Sequence, residues 1–177
     1  MTTVNPNHAE FKTQDAASYN PVAQSFDRFV TQLSAPVAAR LVALAGLAPD
    51  NHVLDVGAGT GIVALRAVAE MGPSGRVVGI DLSDGMLEVA RQNARGRGLA
   101  DRVEFRKMDA ESLDCKDGSF DAVVSLFALR HFPHPETALK EMHRVLRPGG
   151  RLVLAVGSGA PWLSLVGLAH RLKLLPH

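Results

Sequence analysis

Cysteine is almost missing from this chain: Cys115 is the only one in 177 residues. No internal disulfide can form, so a reducing compartment, the cytoplasm by default, is expected. Cys115 lies in the polar stretch SLDCKDGS, poor ground for a nucleophilic or redox thiol. An excess of one charge is also missing. The formal net charge of +1 gives no global attraction to nucleic acid or to an acidic membrane. Arg91, Arg95, Arg97 and Arg102 cluster in sequence, and they read as one solvated helix face. No run approaches the ~18 apolar residues of a membrane span. The opening MTTVNPNHAEFKTQDAASYNP lacks the apolar core of a secretory signal. His131 and His134 have an HxxH spacing, but Pro133 lies between them and no other ligands are evident. No metal site is expected from that pair. Internal repeats and low-complexity segments are absent.

What is present fits one packed domain. Hydrophobic residues make up 46% and charged residues 21%, too apolar a balance for disorder. The most informative stretch is VLDVGAGTGIVAL, Val53 to Leu65. An apolar run ends in Asp55, glycines follow at Gly57, Gly59 and Gly61, and a helical pattern begins. This predicts a buried strand, a tight turn and a helix start. Glycine permits positive φ there and lets a ligand approach the main chain without a Cβ in the way. A second apolar run, VVGI, ends in Asp81, 20 residues after Gly61. An acid at that strand tip is placed to accept from a ribose diol. Together these features predict a site for an adenosine-containing cofactor.

The rest of the chain supplies alternating elements. Residues 1–20 are polar and expected to be mobile. Val22, Phe26, Phe29, Val30 and Leu33 recur at helical spacing. After Pro36 a second helix is predicted to carry Val37, Leu41, Leu44 and Ala45, ending at Gly46. Strands are predicted over His52–Val56, Arg76–Asp81, Arg102–Met108, Phe120–Leu126 and Arg151–Val156. Helices are predicted from about Gly61 to Met71, after the cap Ser83, and from Pro135 to Leu146. RPGG, Arg147 to Gly150, is read as a sharp helix stop. Continuous apolar strands alternating with helices imply a parallel sheet covered on both faces.

DVGAGTG, IDLS, the pair Asp109-Ala110, FDAVVSLFAL and LKEMHRVLRPGGRLVL occur in that order. In this ordered set the chain resembles the class I S-adenosylmethionine-dependent methyltransferases. More narrowly, it is similar to the small-molecule branch that includes quinone-biosynthesis C-methyltransferases. The resemblance covers roughly residues 19 to 157. It implies an α/β fold, a three-layer Rossmann-like sandwich with sheet order 3-2-1-4-5, over residues 21–157. The family sheet has seven strands, and the residues after strand five are too few for a crossover helix and two more strands. The chain therefore reads as truncated relative to the family fold, either a fragment or a minimal variant. Residues 158–177, with Trp162, Leu165, Val166, Leu168, Ala169 and Leu172, suit an amphipathic helical tail. Strand five is left with an edge that a dimer or another edge-strand partner could pair with.

The resemblance also implies roles. Gly57, Ala58, Gly59 and Gly61 would form the floor beneath the methionine part of S-adenosylmethionine. Asp55 would orient that loop or accept from the cofactor's ammonium. Asp81 would accept from the ribose hydroxyls, and Leu82 and Met86 would line the adenine. Asp109 would accept from the adenine amino group, with the Ala110 N–H facing a ring nitrogen. Ser125, Phe127 and Ala128 resemble the segment beside the sulfonium, and Tyr19 and Phe26 resemble lid positions. His131 follows strand four and is the acid–base candidate. Plain alternatives exist: a core-helix Met86, a packing or capping His131, a loop-capping Asp55. The expected activity is methyl transfer to a small-molecule acceptor; the alternative is a cofactor-binding fragment or module without turnover. Gly59, Gly61 and Ala64 also fit a GxGxxA dinucleotide fingerprint. Asp55 before the loop, the Asp109-Ala110 pair and the lack of a Tyr-x-x-x-Lys pair weigh against a nicotinamide oxidoreductase.

Overall fold

The computed structural model describes residues 6–157. The expected amphipathic tail, residues 158–177, lies outside the described residues. Five strands form one parallel sheet: β1 His52–Val56, β2 Arg76–Asp81, β3 Val103–Lys107, β4 Phe120–Leu126 and β5 Leu146–Ala155. Their order is β3-β2-β1-β4-β5, as the family resemblance implied. Val53 pairs with Val77 on one side and Ala122 on the other, so β1 is central. Its side chains divide between two cores. Val53 joins one apolar cluster, and Leu54 and Val56 join the other.

Helices α3 Gln32–Ala45, α4 Ile62–Glu70 and α5 Asp84–Gly96 supply the first core. Helix α6 Pro135–Val145 supplies the second, with Ala138, Met142 and Val145 fully buried. Burial of side chains such as Leu54, Leu65, Ile80 and Leu87 contributes roughly 1.5–3 kcal/mol each. Ser83 caps α5 by accepting from the Met86 N–H at 3.2 Å. Gly61 starts α4 with φ +90, and a Cβ there would come within 2.9 Å of Phe105. That close approach lets α4 lie tightly on the sheet.

Pro6–Tyr19, within the polar N-terminal stretch, is a helix, α1. Two expectations are corrected. Pro36 does not separate two helices. A 3-10 turn Asn20–Val22, a short helix α2 Ala23–Phe26, a π turn Asp27–Thr31 and α3 run on continuously, with Pro36 inside α3. The π turn shifts the buried face, so Ser34, Ala38, Leu41, Val42 and Ala45 point inward while Leu33, Val37 and Leu44 are exposed. The Ser34 hydroxyl donates to the Thr31 carbonyl at 2.9 Å, near where Pro36 has no N–H to offer. Second, RPGG is more than a helix stop. β5 begins at Leu146, which pairs with Phe120, and the register then jumps to Ala122–Arg151. Gly149, at φ +80, lets the strand bulge between the two pairings.

Candidate active site

A cavity of about 480 Å³ opens at the carboxyl ends of β1 to β4. Among its lining residues are Asp55, Ala58, Gly59, Asp81, Asp109 and His131. This is where a parallel α/β sheet binds ligands, because the strand order reverses there and the connecting loops diverge. A larger groove of about 640 Å³ lies at the amino ends of the strands. Its arginines are engaged: Arg76 and Arg102 donate to carbonyls, and Arg106 to Glu104. The first cavity is the candidate site.

The glycine turn is shaped by its neighbours. The N–H groups of Gly57 and Ala58 donate to the Ile80 carbonyl at 2.9 and 2.8 Å. Gly57 has φ +72, and a Cβ on it would collide with the Cβ of Ala128. Gly59 has φ +54, but a Cβ there would meet nothing within 4 Å. That open space faces the cavity and suits a ligand pressed against the main chain. Gly61 is not among the lining residues; its role is the packing described above.

Asp55 is fully buried, with Oδ2 accepting from the Ala64 N–H at 3.0 Å. Oδ1 has no partner among the described residues. Burial drives the carboxyl pKa up to about 7, the Ala64 N–H opposes this, and the nearby Asp81 charge adds to it. Burial also raises Asp81, against backbone N–H donors from Ser83, Gly59 and Leu82. Asp81 Oδ2 accepts from Gly59 and Oδ1 from Ser83, both at 2.9 Å. The carboxylate thus ties the glycine turn to the start of α5, and each oxygen retains a further lone pair.

Leu82, Met86 and Ala110 line the cavity. Met86 is 3% exposed and packs with Ala23 and Val89, so it is a core residue and a wall residue together. Asp109 lines the cavity too, but its Oδ2 is held by Lys12 Nζ at 2.7 Å. Lys12 bridges to Glu111 at the same distance. Burial disfavours the Lys12 charge, but hydrogen bonds to the two acids outweigh it and raise its pKa.

Ser125 is not brought to the cavity. Its buried hydroxyl donates to the Val56 carbonyl at 2.7 Å, tying β4 to β1. A small polar residue at a buried strand end has that backbone acceptor nearest, which corrects the expectation that it borders the reacting centre. Phe127 and Ala128 do line the cavity. Phe127 holds φ +60, costly for a bulky side chain and typical of functional turns. His131 follows on a 3-10 turn, Leu129–His131, and reaches the cavity.

Groups that sequence patterns missed come from α1: His8, Lys12 and Asp15. They share one face with Tyr19, the expected lid residue, at spacings of four, three and four. His8 meets His134 at 2.7 Å, Lys12 meets Asp109, and Asp15 Oδ2 meets His131 Nδ1 at 3.0 Å. Tyr19 lies edge-on to both Phe26 and His131, at 5.8 and 5.7 Å between ring centroids. Burial raises the Tyr19 pKa. The inward face of α1 is polar because it meets acids and histidines, so an apolar periodicity could not reveal it. Thr31 and Thr60 were also missed: their buried hydroxyls pair at 2.9 Å across the turn. Asn93 adds a bond to the Thr60 carbonyl at 3.1 Å. Among the described residues, no group of three or more His, Cys, Asp or Glu is placed to hold a metal ion.

This fold and this cavity define a Rossmann-like domain with a nucleoside-sized site. Residues 54–154 match the family model described as a methyltransferase domain, and the chain belongs to that family. It is 40% identical over 137 residues to the ubiquinone/menaquinone biosynthesis C-methyltransferase UbiE of Ectopseudomonas mendocina, covering 76% of this chain and 54% of that one. Against UbiE of Pseudomonas putida it is 42% identical over 113 residues, covering 64% and 44%. The chain thus spans about half the length of the curated relatives it matches. Among solved structures it resembles the [4+2]-cyclase SpnF at a TM-score of 0.74 and 28% identity, over 81% of this chain and 59% of that one. The YcgJ protein of Bacillus subtilis is similar at 0.65 and 30%, over 77% and 56%.

Proposed function

We propose that this chain binds S-adenosylmethionine and directs its methyl group to a small-molecule acceptor. Family membership supports the activity, and the residues present fit the group. The single observation that carries the fit is Asp55 Oδ1, a buried acceptor in the cavity wall without a donor among the described residues. The ammonium of a methionine moiety would supply that donor. Gly57, Ala58 and Gly59 would form the floor, while Gly61 keeps α4 close beneath them. Asp81 would accept from the ribose hydroxyls, with Leu82, Met86 and Ala110 against the adenine. Asp109 would share its carboxylate between Lys12 and the adenine amino group. His131 would accept a proton from the acceptor. When bound, S-adenosylmethionine supplies an electrophilic methyl on a sulfonium. The chain need then supply no nucleophile; holding the reactants in near-attack geometry lowers much of the barrier.

The names of the relatives make a quinol-type ring the first acceptor class to try. No helix among the described residues is long and apolar enough to cross a membrane. The proposed location remains the cytoplasm, in keeping with one free thiol. A domain of residues 21–157 with a tail beyond it, and an edge-strand or dimer partner along β5, are part of the same proposal. A second reading, cofactor binding without methyl transfer, is favoured by the likeness to a protein named as a cyclase, since one fold serves several chemistries.

The test is calorimetric titration of the 177-residue chain with S-adenosylmethionine, with NADH as control. Binding of the former alone supports the reading; binding of neither, or of NADH, refutes it for this chain. Turnover of a methyl label into a quinol separates transferase from binding module.

A further inference from the structure

The carboxylate of Asp15 is the unexplained group in the cavity. It is carried by α1, lines the cavity, and meets His131 Nδ1 at 3.0 Å. Both side chains are about 30% exposed, at 28% and 29%, so neither is stranded without solvent. Among the described residues, His131 Nε2 has no hydrogen-bond partner. The ring is held from a second direction by Tyr19, edge-on at 5.7 Å. His131 lines the cavity, and a ring whose Nδ1 meets a carboxylate carries its proton there and leaves Nε2 as the acceptor.

We infer that Asp15 is a positioning residue that holds His131 with Nδ1 protonated and Nε2 bare, so that helix α1 completes a proton acceptor for the transferred group's destination. This rests on the methyl-transfer reading and deepens it by naming the residue that positions the proton acceptor. The acceptor carries a removable proton on, or conjugated with, its nucleophilic atom: a phenol, an enol or a quinol ring carbon. A tertiary amine or a thioether has no such proton and needs no base. In the step, the nucleophilic atom bonds to the methyl carbon. The carbon–sulfur bond breaks with its electron pair going to sulfur. The acceptor's proton passes to Nε2, and the Asp15 carboxylate stabilises the resulting imidazolium through Nδ1–H. This is the division of labour by which a carboxylate selects the tautomer of a catalytic imidazole. Lys12, three residues earlier on the same face, fastens α1 to Asp109 and Glu111 at 2.7 Å and so fixes where Asp15 sits.

The experiment is nitrogen-15 NMR of the histidine rings in the full ligand-free chain, at a pH where the imidazole is neutral. His131 is assigned by its loss in His131→Gln. In the unmodified chain, His131 is expected as a single tautomer protonated at Nδ1. In Asp15→Ala that preference is lost and the Nε2-protonated form gains, while amide signals of β1 to β5 stay in place. Asp15→Glu restores the Nδ1 form in whole or part, which a merely structural role for Asp15 would not predict. An Nε2-protonated His131 in the unmodified chain, or an unchanged tautomer in Asp15→Ala, overturns the inference. S-adenosylmethionine titrated into the same samples is expected to bind Asp15→Ala within about threefold of the unmodified chain, since Asp15 acts on His131 and not on the cofactor. Failure of the unmodified chain to bind overturns the methyl-transfer reading, whatever the tautomer, and removes the base role with it.

Discussion

Asp55→Asn gives the sharpest test of how the site is built. Asp55 is fully buried, one oxygen accepts from Ala64 N–H, and the other has no partner among the described residues. Burial lifts its pKa from 3.8 to about 7, so ionisation is harder in the folded chain than in the unfolded one. The folded state then holds the proton longer, and stability falls as pH climbs from about 4 to about 7. Above that window the full cost persists, about 4 kcal/mol, because each tenfold change in an ionisation constant is worth about 1.36 kcal/mol. Between about pH 5.5 and about pH 8.5, the linkage relation gives a loss of about 2 kcal/mol from this one group. The asparagine amide cannot ionise, and its oxygen still accepts from Ala64. The stability of the variant relative to the native chain should therefore rise by about 2 kcal/mol across that range. For a chain of this size that is about 4–8 °C in Tm. Thermal unfolding of both ligand-free proteins at the two pH values measures it. A difference in Tm between variant and native chain that is the same at both values would refute a carboxyl held protonated by burial. The same substitution should weaken S-adenosylmethionine binding at about pH 8.5, because an amide cannot offer the charge that an ammonium seeks.

Three further outcomes follow from the geometry. Asp81→Ala removes the acceptor of Gly59 and Ser83 N–H groups as well as the proposed ribose contact. Affinity for S-adenosylmethionine should drop about 30-fold or more, equivalent to about 2 kcal/mol, whereas His131→Ala should hardly change it; calorimetric titration that finds equal affinity for Asp81→Ala and the native chain sinks the ribose assignment. Gly57→Ala and Gly59→Ala should differ in kind. The first meets Ala128 and should lower Tm by several degrees, while the second meets nothing within 4 Å and should cost only about 1 kcal/mol of backbone strain yet still impair binding; equal loss of stability in the two would contradict the crowding at Gly57. Thr60→Val leaves the Thr31 hydroxyl buried without its 2.9 Å partner, at a cost of about 1–3 kcal/mol. The double variant Thr31→Val/Thr60→Val should recover part of that in denaturant unfolding, and strict additivity would mean the pair is uncoupled.

The sequence by itself determined the sheet. Apolar runs ending in Asp55 and Asp81 are strands because alternation with helical periods leaves them no other place, and the glycine turn follows from positions that require positive φ. These signals are local, and β1, β2 and β4 lie where those runs placed them. Tertiary structure alone decided what meets across the cavity. Lys12 and Asp109 are 97 residues apart, and Asp15 and His131 are 116 apart. No periodicity pairs such residues, and the inward face of α1 carries charge where a pattern search looks for apolar side chains. Ser125 shows the same limit from the other side: its type and place suggested a ligand contact, but the nearest acceptor in three dimensions is the Val56 carbonyl. The two oxygens of Asp55, one bonded and one without a partner among the described residues, likewise depend on how closely α4 lies on the sheet. A chain can write its secondary structure in short-range periods, whereas the polar partners of a site are set by distances that exist only once the layers have packed.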